Sequence, residues 1–554
     1  MNIRISRRVA LKQLALGVGA VIASACSLSP KRQVPFLDQA DQEWLSHHSP
    51  IDRIWGKAPA AKSYFGDKPE ATAHRILWDK ESFLAQIGEL PKPKKKVPVI
   101  IIGGGMSGLS TAYHLRRFKP VVIEQSDRFG GNAKGMKWND VSYSIGAAYF
   151  ENPSEGDPLH KLLTELNLWS EVKQAHDSMA IYQGQKWKDF WSGKNTPAEK
   201  NIQKSIHHYI EKMRFPEIPT HEKDMRQYVN KLDRSSLQAH LEKHIGGPIP
   251  RLTATFLEHY CWSSFGGSMN EISAAAGLNF LATEFEPLGV LPGGNSRVAE
   301  ALLEKLWKEL PNGHLLPQRL VFDVREENGQ IQVAYVNPDG SVETLACERC
   351  VFSCPKFVAA KLWNKMDMER QNAIGRLRYR SYLVGNVLTK AKAMHDHYET
   401  FYLSNGMPDN QDIETYANDM RATDVILANF SSPSTKETVF TLYRAMPFDG
   451  ARPMLLEPES YQRFRQDFEK DVETKVKGLL TAKDAQIEDI QITRWGHPLP
   501  LAEVGLFSEK VVDILHRPHQ DKYFFVEQDN WMQPAIETAV GEASYWSPKI
   551  AKML

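Results

Sequence analysis

Three observations on the sequence predict an α/β protein in which a Rossmann-type domain is intertwined with a second domain. Val97-Pro98-Val99-Ile100-Ile101-Ile102 is a continuous apolar run of the kind a fully buried parallel strand needs, and a glycine cluster follows it at once. Ser107 to Arg117 then has helical spacing, and Pro120-Val121-Val122-Ile123-Glu124 makes a second buried strand, completing a βαβ unit. The third observation is length, since 554 residues exceed the roughly 100–200 of an ordinary domain.

Hydrophobic residues make up 42% of the chain and charged residues 24%, enough for a large core and an enclosed pocket and unlike a disordered chain. Lys and Arg number 68 against 67 Asp and Glu, so no overall field attracts nucleic acid, and nucleic acid is not expected as a partner. The run Lys92-Pro93-Lys94-Lys95-Lys96 reads as a solvated linker.

Residues 1–26 read as an address. Ser6-Arg7-Arg8-Val9-Ala10-Leu11-Lys12 resembles a twin-arginine export motif and leads into an uncharged apolar stretch from Leu14 to Ala25. That stretch is shorter than the roughly 20 apolar residues of a permanent membrane span. Ala23-Ser24-Ala25-Cys26 resembles a bacterial lipobox, with Ala23 where a larger aliphatic residue is usual. These resemblances imply export to the periplasm through the twin-arginine machinery and a membrane anchor by lipidation at Cys26. Residues 27–96 mix Pro, charges and scattered aromatics without a sustained period, as an N-terminal extension packed on the main body would.

The glycine cluster carries G-x-G-x-x-G at Gly103, Gly105 and Gly108. Gly103 permits the tight turn out of the strand, Gly105 lets the backbone approach a pyrophosphate, and Gly108 lets helix and strand pack closely. The helix beginning near Met106 and Ser107 offers unpaired N–H groups and a partial positive charge to phosphates. Glu124 stands 21 residues after Gly103, at the end of the second strand, where a carboxylate can accept hydrogen bonds from ribose hydroxyls.

The segment that follows separates dinucleotide cofactors. Glu124-Gln125-Ser126-Asp127-Arg128-Phe129-Gly130-Gly131-Asn132 resembles the E-x-x-x-R-x-G-G element of the flavin-containing amine oxidase superfamily. That superfamily of FAD-dependent oxidoreductases also holds carotenoid desaturases and protoporphyrinogen oxidases. The resemblance implies that Arg128, Gly130 and Gly131 run along the FAD diphosphate and ribityl chain, with Asn132 where an arginine is often found. A cation and a side-chain-free backbone suit an extended anionic cofactor. Ser144-Ile145-Gly146-Ala147-Ala148-Tyr149 resembles the family element whose backbone, at Gly146 and Ala147, approaches the isoalloxazine ring; by itself it also reads as a small-residue turn.

Later segments follow the same template in order. Leu291-Pro292-Gly293-Gly294-Asn295-Ser296 resembles the family's re-entry into the FAD domain. Leu320 to Val324 and Ile331 to Val336 read as a hairpin turning near Asn328-Gly329, and by resemblance the Val321 backbone meets the adenine. Val351-Phe352-Ser353-Cys354-Pro355 resembles a strand-then-proline element, and Arg494-Trp495-Gly496-His497-Pro498-Leu499-Pro500 a later W-x-x-x-x-P segment. Phe524-Phe525-Val526-Glu527 and Pro534-Ala535-Ile536-Glu537 resemble the family's C-terminal signature. The resemblance implies that Glu527 binds the ribityl chain and that a helix start at Ile536 and Glu537 faces the flavin pyrimidine. N–H groups at a helix start can stabilise negative charge on the reduced ring.

The resemblance implies a two-dinucleotide-binding fold with an interleaved α+β substrate domain. The FAD-binding domain is expected over residues 97–150, 289–355 and 491–554, and the substrate domain over 151–288 and 356–490. His259 to Ser268, crowded with aromatics and glycine, can line a pocket or pack as core. Ala535 stands where many amine oxidases place an aromatic ring, and no cysteine occupies the family's C-terminal attachment position, so FAD is expected to be held non-covalently. Cys347 and Cys350 resemble a C-x-x-C pair, but they enter a strand, where positions three apart point to opposite faces; with Cys354 they read as buried strand residues or an incidental disulfide, and no metal is expected. The implied activity is oxidation of an amine or a related C–H or N–H donor by hydride transfer to flavin N5. Reoxidation of the flavin by oxygen or a respiratory acceptor is expected. The alternatives are a non-redox flavin isomerase or mutase, and an electron-carrying or partner-binding flavoprotein without a substrate pocket.

Overall fold

The computed structural model of the protein describes residues 55–57, 63–65 and 71–554, apart from 177, 189, 193–198, 404–421, 435, 457 and 483. The expected export signal, Cys26 and the first part of the extension lie outside the described residues. Among those residues no helix is long and apolar enough to cross a membrane.

The apolar run after the basic linker forms the strand Lys96–Ile102, the centre of a parallel sheet. Leu315–Leu316, Val121–Ile123, Lys96–Ile102 and Val342–Phe352 lie side by side in that order, and Tyr523–Phe525 joins the far edge of Val342–Phe352. The central run is apolar throughout because both its faces are covered. Val99 and Ile101 pack with the helices Met106–His114, Ser296–Glu309 and Ile536–Ala551, while Ile100 and Ile102 enter the core on the other side. Register aligns the strand ends: Ile102 pairs with Ile123 and Phe352, and Phe352 with Phe525. The chain therefore leaves the sheet at Gly103, Glu124, Ser353 and Val526 along one carboxyl edge, where open α/β sheets bind ligands.

Leu320–Glu327 and Gln330–Val336 form the expected hairpin, and both turn residues, Asn328 (φ 51°) and Gly329 (φ 74°), adopt the positive φ that a two-residue type I′ turn requires. The extension reaches this hairpin. Its helices Ala71–Trp78 and Lys80–Ile87 bury Ile76 and Phe83, whose ring meets Phe322 edge-on at 5.1 Å, and the Lys80 ammonium pairs with Asp323 at 2.8 Å.

Cys347 and Cys350 depart from strict alternation. Between them the strand changes neighbour, from Ile331 beside Cys347 to Tyr523 beside Cys350, and the inward pattern breaks at Glu348 and Arg349. Both thiols consequently point into one apolar core, adjacent to each other, instead of to opposite faces, and both are free.

The second unit is an eight-stranded sheet in the order Gln185–Lys188, Ser178–Tyr182, Glu399–Leu403, Asp424–Leu427, Thr438–Met446, Tyr379–Thr389, Ile487–Pro500 and Ser63–Phe65. Its four central pairings, from Glu399–Leu403 across to Ile487–Pro500, are antiparallel. The strand Ile487–Pro500 runs unbroken through the expected boundary at 490/491, so residues 491–500 belong by hydrogen bonding to this sheet. The helix Arg251–Phe265 packs against Thr438–Met446 and Glu399–Leu403.

Candidate active site

One cavity runs from the carboxyl edge of the parallel sheet to the face of the eight-stranded sheet. Its near wall contains Gly105, Met106, Ser107, Gly130, Gly131, Asn132, Gly146, Ala147, Glu527, Ile536 and Glu537. Eleven of the residues that the sequence nominates for the cofactor thus share one surface, although they come from five separate stretches of chain.

The glycines divide into two kinds. A Cβ on Gly103, which has φ +108°, would meet the Ser353 carbonyl oxygen at 2.4 Å, and one on Gly108 would meet the Gly103 carbonyl oxygen at 2.0 Å. These two are excluded from the cavity wall and serve the close passage of backbone past backbone. Gly105 differs, since at φ −74° an added Cβ finds only Gly131 within 4 Å, with Cα at 3.6 Å, and the remaining space is cavity. Gly131 faces it so closely that a Cβ there would meet the Gly105 Cα at 2.9 Å. The result is a groove with side-chain-free walls beside the first turn of Met106–His114, whose leading N–H groups have no acceptor within the helix. These residues fit an extended anionic cofactor such as FAD.

Other nominated residues lie around this groove. Glu124 is buried, and its oxygens accept from the Gly104 and Ser126 backbone N–H groups, both at 2.7 Å, which ties the glycine loop to the second strand. A carboxylate has lone pairs left for ribose hydroxyls after two such bonds. Gln125 is half-buried. Arg128 is buried and donates to the Gly135 carbonyl at 3.0 Å, and Val321 is buried within the hairpin; neither lines the cavity.

The Gly146–Ala147 element is clamped from the second sheet. The Tyr443 hydroxyl donates to the Gly146 carbonyl at 2.6 Å, the Trp495 indole to Ile145 at 2.8 Å, and the Asn386 amide to the Ser144 carbonyl at 3.0 Å. A Cβ on Gly146 would meet the Asn132 carbonyl oxygen at 2.3 Å, so this small-residue stretch is held against both units.

The C-terminal signature brings together charged groups. Glu527 is held in a buried ion pair by Lys356, whose side chain is fully buried and also bonds Asn530. Burial and Asp529 push the Glu527 carboxyl up to about 8, with Lys356 pulling the other way. At Ile536 the helix starts without a side-chain cap; the preceding Ala535 N–H donates to Gln533 at 2.8 Å. Glu537 accepts from the Glu151 N–H at 2.6 Å, and burial pushes its carboxyl up to about 7. Glu151 rises well above the usual carboxylate range through burial and the Glu537 charge.

The far wall is aromatic and acidic. Tyr149, Tyr260, Phe280, Tyr382, Tyr443 and Trp495 line it, with Ser263, Thr283 and Glu284 between them. The segment from His259 to Ser268 is divided: Tyr260, Ser263 and Ser264 face the cavity, while Cys261, Trp262 and Phe265 are core. Among the described residues no group of three or more His, Cys, Asp or Glu side chains could hold a metal. Sequence reasoning passed over Lys356, Glu151, Glu284, Tyr382 and Tyr443. Alternation of Tyr382 with Val384 on one strand was the only local signal for any of them, and it does not distinguish a cavity from a core.

Comparison with known proteins agrees with this arrangement. The family described as flavin containing amine oxidoreductase matches residues 106–543. The oxidoreductase PigB of Serratia sp. is 30% identical over 101 residues, 18% of this chain and 14% of that protein. The chain spans 14–20% of the length of the curated relatives it matches. Among solved structures, wild-type putrescine oxidase bound to putrescine aligns with a TM-score of 0.61 at 14% identity, covering 82% of this chain and 99% of that one. Cyclohexylamine oxidase from Brevibacterium oxydans aligns with a TM-score of 0.60 at 15% identity, again over 82% and 99%. At these identities the likeness is one of fold.

Proposed function

The chain belongs to the flavin-containing amine oxidoreductase family, and from that premise we propose that it is an exported FAD-dependent oxidoreductase that oxidises an amine. The observation that carries this reading is the single cavity that joins a glycine-walled groove to an aromatic, acidic chamber.

In this reading Gly105, Gly131 and the N–H groups of Met106 and Ser107 hold the FAD diphosphate, Glu124 the adenosine ribose, and Glu527 the ribityl chain. No cysteine at the cavity matches the family's attachment position, which supports non-covalent binding. The bound flavin supplies a two-electron acceptor for a hydride from the carbon next to nitrogen; the nitrogen loses a proton, and the imine so formed is hydrolysed by water. The protein has to hold a neutral amine in a dry site, and the rings of Tyr149, Tyr260, Tyr382 and Tyr443 give the chamber a largely apolar lining suited to that. A concave chamber lined by aromatic rings supports a small-molecule enzyme over an electron carrier. Oxygen or a respiratory acceptor would take the electrons onward.

Export rests on Arg7, Arg8 and the apolar stretch to Ala25, and anchoring on Cys26. Lysine at both arginines should strand the precursor in the cytoplasm, and Cys26→Ser should free the mature protein from membranes. Cell fractionation measures both, and unchanged export of the double lysine variant would remove the twin-arginine assignment.

The decisive experiment is anaerobic spectroscopy of the purified, yellow protein against a panel of amines. Bleaching of the flavin band is the expected result. Folded protein from flavin-replete cells that neither contains nor takes up FAD would end the cofactor reading, and a flavin that no amine bleaches would end the amine reading.

A further inference from the structure

At the chamber end of the cavity Glu284 stands on the wall, and two further carboxyl groups, Glu399 and Asp424, are buried behind the lining. Phe401 stands opposite Asp424 on neighbouring antiparallel strands, Asp424 opposite Tyr443, and Tyr443 opposite Val384. Directly opposed residues share a face of the sheet, as do residues two apart on one strand. Glu399 and Asp424 therefore project from the face that carries Tyr443 and Val384, both of which line the cavity. Ser263, on the cavity wall, donates to Asp424 and lies 3.1 Å from the Tyr382 hydroxyl. Glu284 lines the cavity directly and feels the Asp424 charge.

Glu399 is 3% exposed and Asp424 0%, yet Glu399 Oε1 and Asp424 Oδ1 have no hydrogen-bond partner. Among the described residues no Lys or Arg forms an ion pair with Glu284, Glu399 or Asp424. Lys475, which acts on Asp424 at longer range, pairs with Asp471 at 2.8 Å and donates to the Ala422 carbonyl. Buried carboxylates without a counter-charge are costly. Burial pushes Glu284 up to about 8 and Asp424 up to about 7, and Glu399 rises well above its ordinary range, which biases each carboxyl towards its neutral form. The tyrosine rings beside them offer π faces to a cation.

We infer that this end of the cavity takes the second ammonium group of a diamine or polyamine, with Glu399 and Asp424 balancing its charge. The reacting amino group then occupies the part beside Gly146 and Ala147. The inference rests on the amine-oxidising reading for its chemistry and on the orphaned carboxylate oxygens for its specificity. A monoamine of equal length would set an apolar end against those carboxylates.

The test titrates the anaerobic holoenzyme with α,ω-diamines and with n-alkylamines of the same length, in wild type and in the Glu399→Gln and Asp424→Asn variants. Flavin reduction reports an apparent Kd and a limiting rate. A bis-quaternary alkane-diammonium ion, which has no lone pair to oxidise, reports binding alone through the shift in flavin absorbance. Diamines should bind at least about tenfold more tightly than monoamines, equivalent to about 1.4 kcal/mol. Each variant should weaken diamine and bis-quaternary binding by about tenfold, and weaken monoamine binding by clearly less. Equal wild-type affinity for monoamines and diamines overturns the inference even if a variant fails to fold. Unchanged diamine binding in both folded variants also overturns it. If no amine reduces the flavin but the bis-quaternary ion binds and both variants weaken it, the dication site stands and amine oxidation falls. Reduction by amines with no preference for a second ammonium gives the reverse.

Discussion

Replacing Gly105 with alanine should separate cofactor binding from folding, because the structure places the new methyl group in the cavity and almost nowhere else. At φ −74° the backbone accepts an L-residue without strain, and the nearest protein atom to the added Cβ, the Gly131 Cα, is at 3.6 Å, an ordinary van der Waals contact. Gly105 is the N-cap of Met106–His114, where alanine is poorer than glycine by roughly 1 kcal/mol at most, partly offset by the smaller entropy of the unfolded alanine chain. The apoprotein should therefore melt within a few degrees of wild type. A methyl group on the side where a diphosphate must approach backbone N–H groups displaces it, and FAD affinity should fall by at least about tenfold, or 1.4 kcal/mol. Gly108→Ala is the contrast: its Cβ would stand 2.0 Å from the Gly103 carbonyl oxygen, so the loop itself must deform, and stability and FAD binding should fall together. Quenching of FAD fluorescence on titration of the apoprotein measures affinity, and thermal melting of the same samples measures fold. Wild-type FAD affinity in Gly105→Ala, or collapse of its apoprotein melt, would refute the assignment of Gly105 to the cofactor groove.

Lys356→Met should destabilise the protein by about 3 kcal/mol in chemical denaturation, the lower end for breaking a buried pair because Glu527 can take up a proton instead. Adding Glu527→Gln should recover part of that loss; no recovery would mean that Lys356 acts through packing alone. Glu537 gives a pH signature. Its folded carboxyl, pushed up to about 7, lies above the ordinary 4.5, so its stabilising contribution is complete below about 4.5 and is lost as pH rises towards 7. Glu537→Gln should flatten the fall in apoprotein Tm across that window, and an unaltered profile would exclude Glu537 as its source. Tyr443→Phe removes the bond to the Gly146 carbonyl and should lower stability by about 1 kcal/mol with weaker FAD retention, measured by melting and ultrafiltration.

The sequence by itself determined the half of the site that is built from neighbours in the chain. A strand buried on both faces must be apolar throughout, a turn that passes backbone against backbone must be glycine, and a carboxylate at the next strand end must follow at a fixed distance. Lys96–Ile102, Gly103, Gly105, Gly108 and Glu124 were legible for those local reasons. The Asn328–Gly329 turn was legible because only a few residues adopt two consecutive positive φ angles. Tertiary structure decided whatever depends on which strands become neighbours. Cys347 and Cys350 share one core because their strand changes partners between them. Residues 491–500 join the second sheet because a strand ends where its hydrogen bonds end, not where a motif begins. Lys356 meets Glu527 across 171 residues, and Glu399, Asp424 and Tyr443 share a wall only through register between strands. A glycine loop announces itself through backbone geometry, which is local. A substrate chamber is made by side chains that distant strands point into one space, and no spacing along the chain records where they meet.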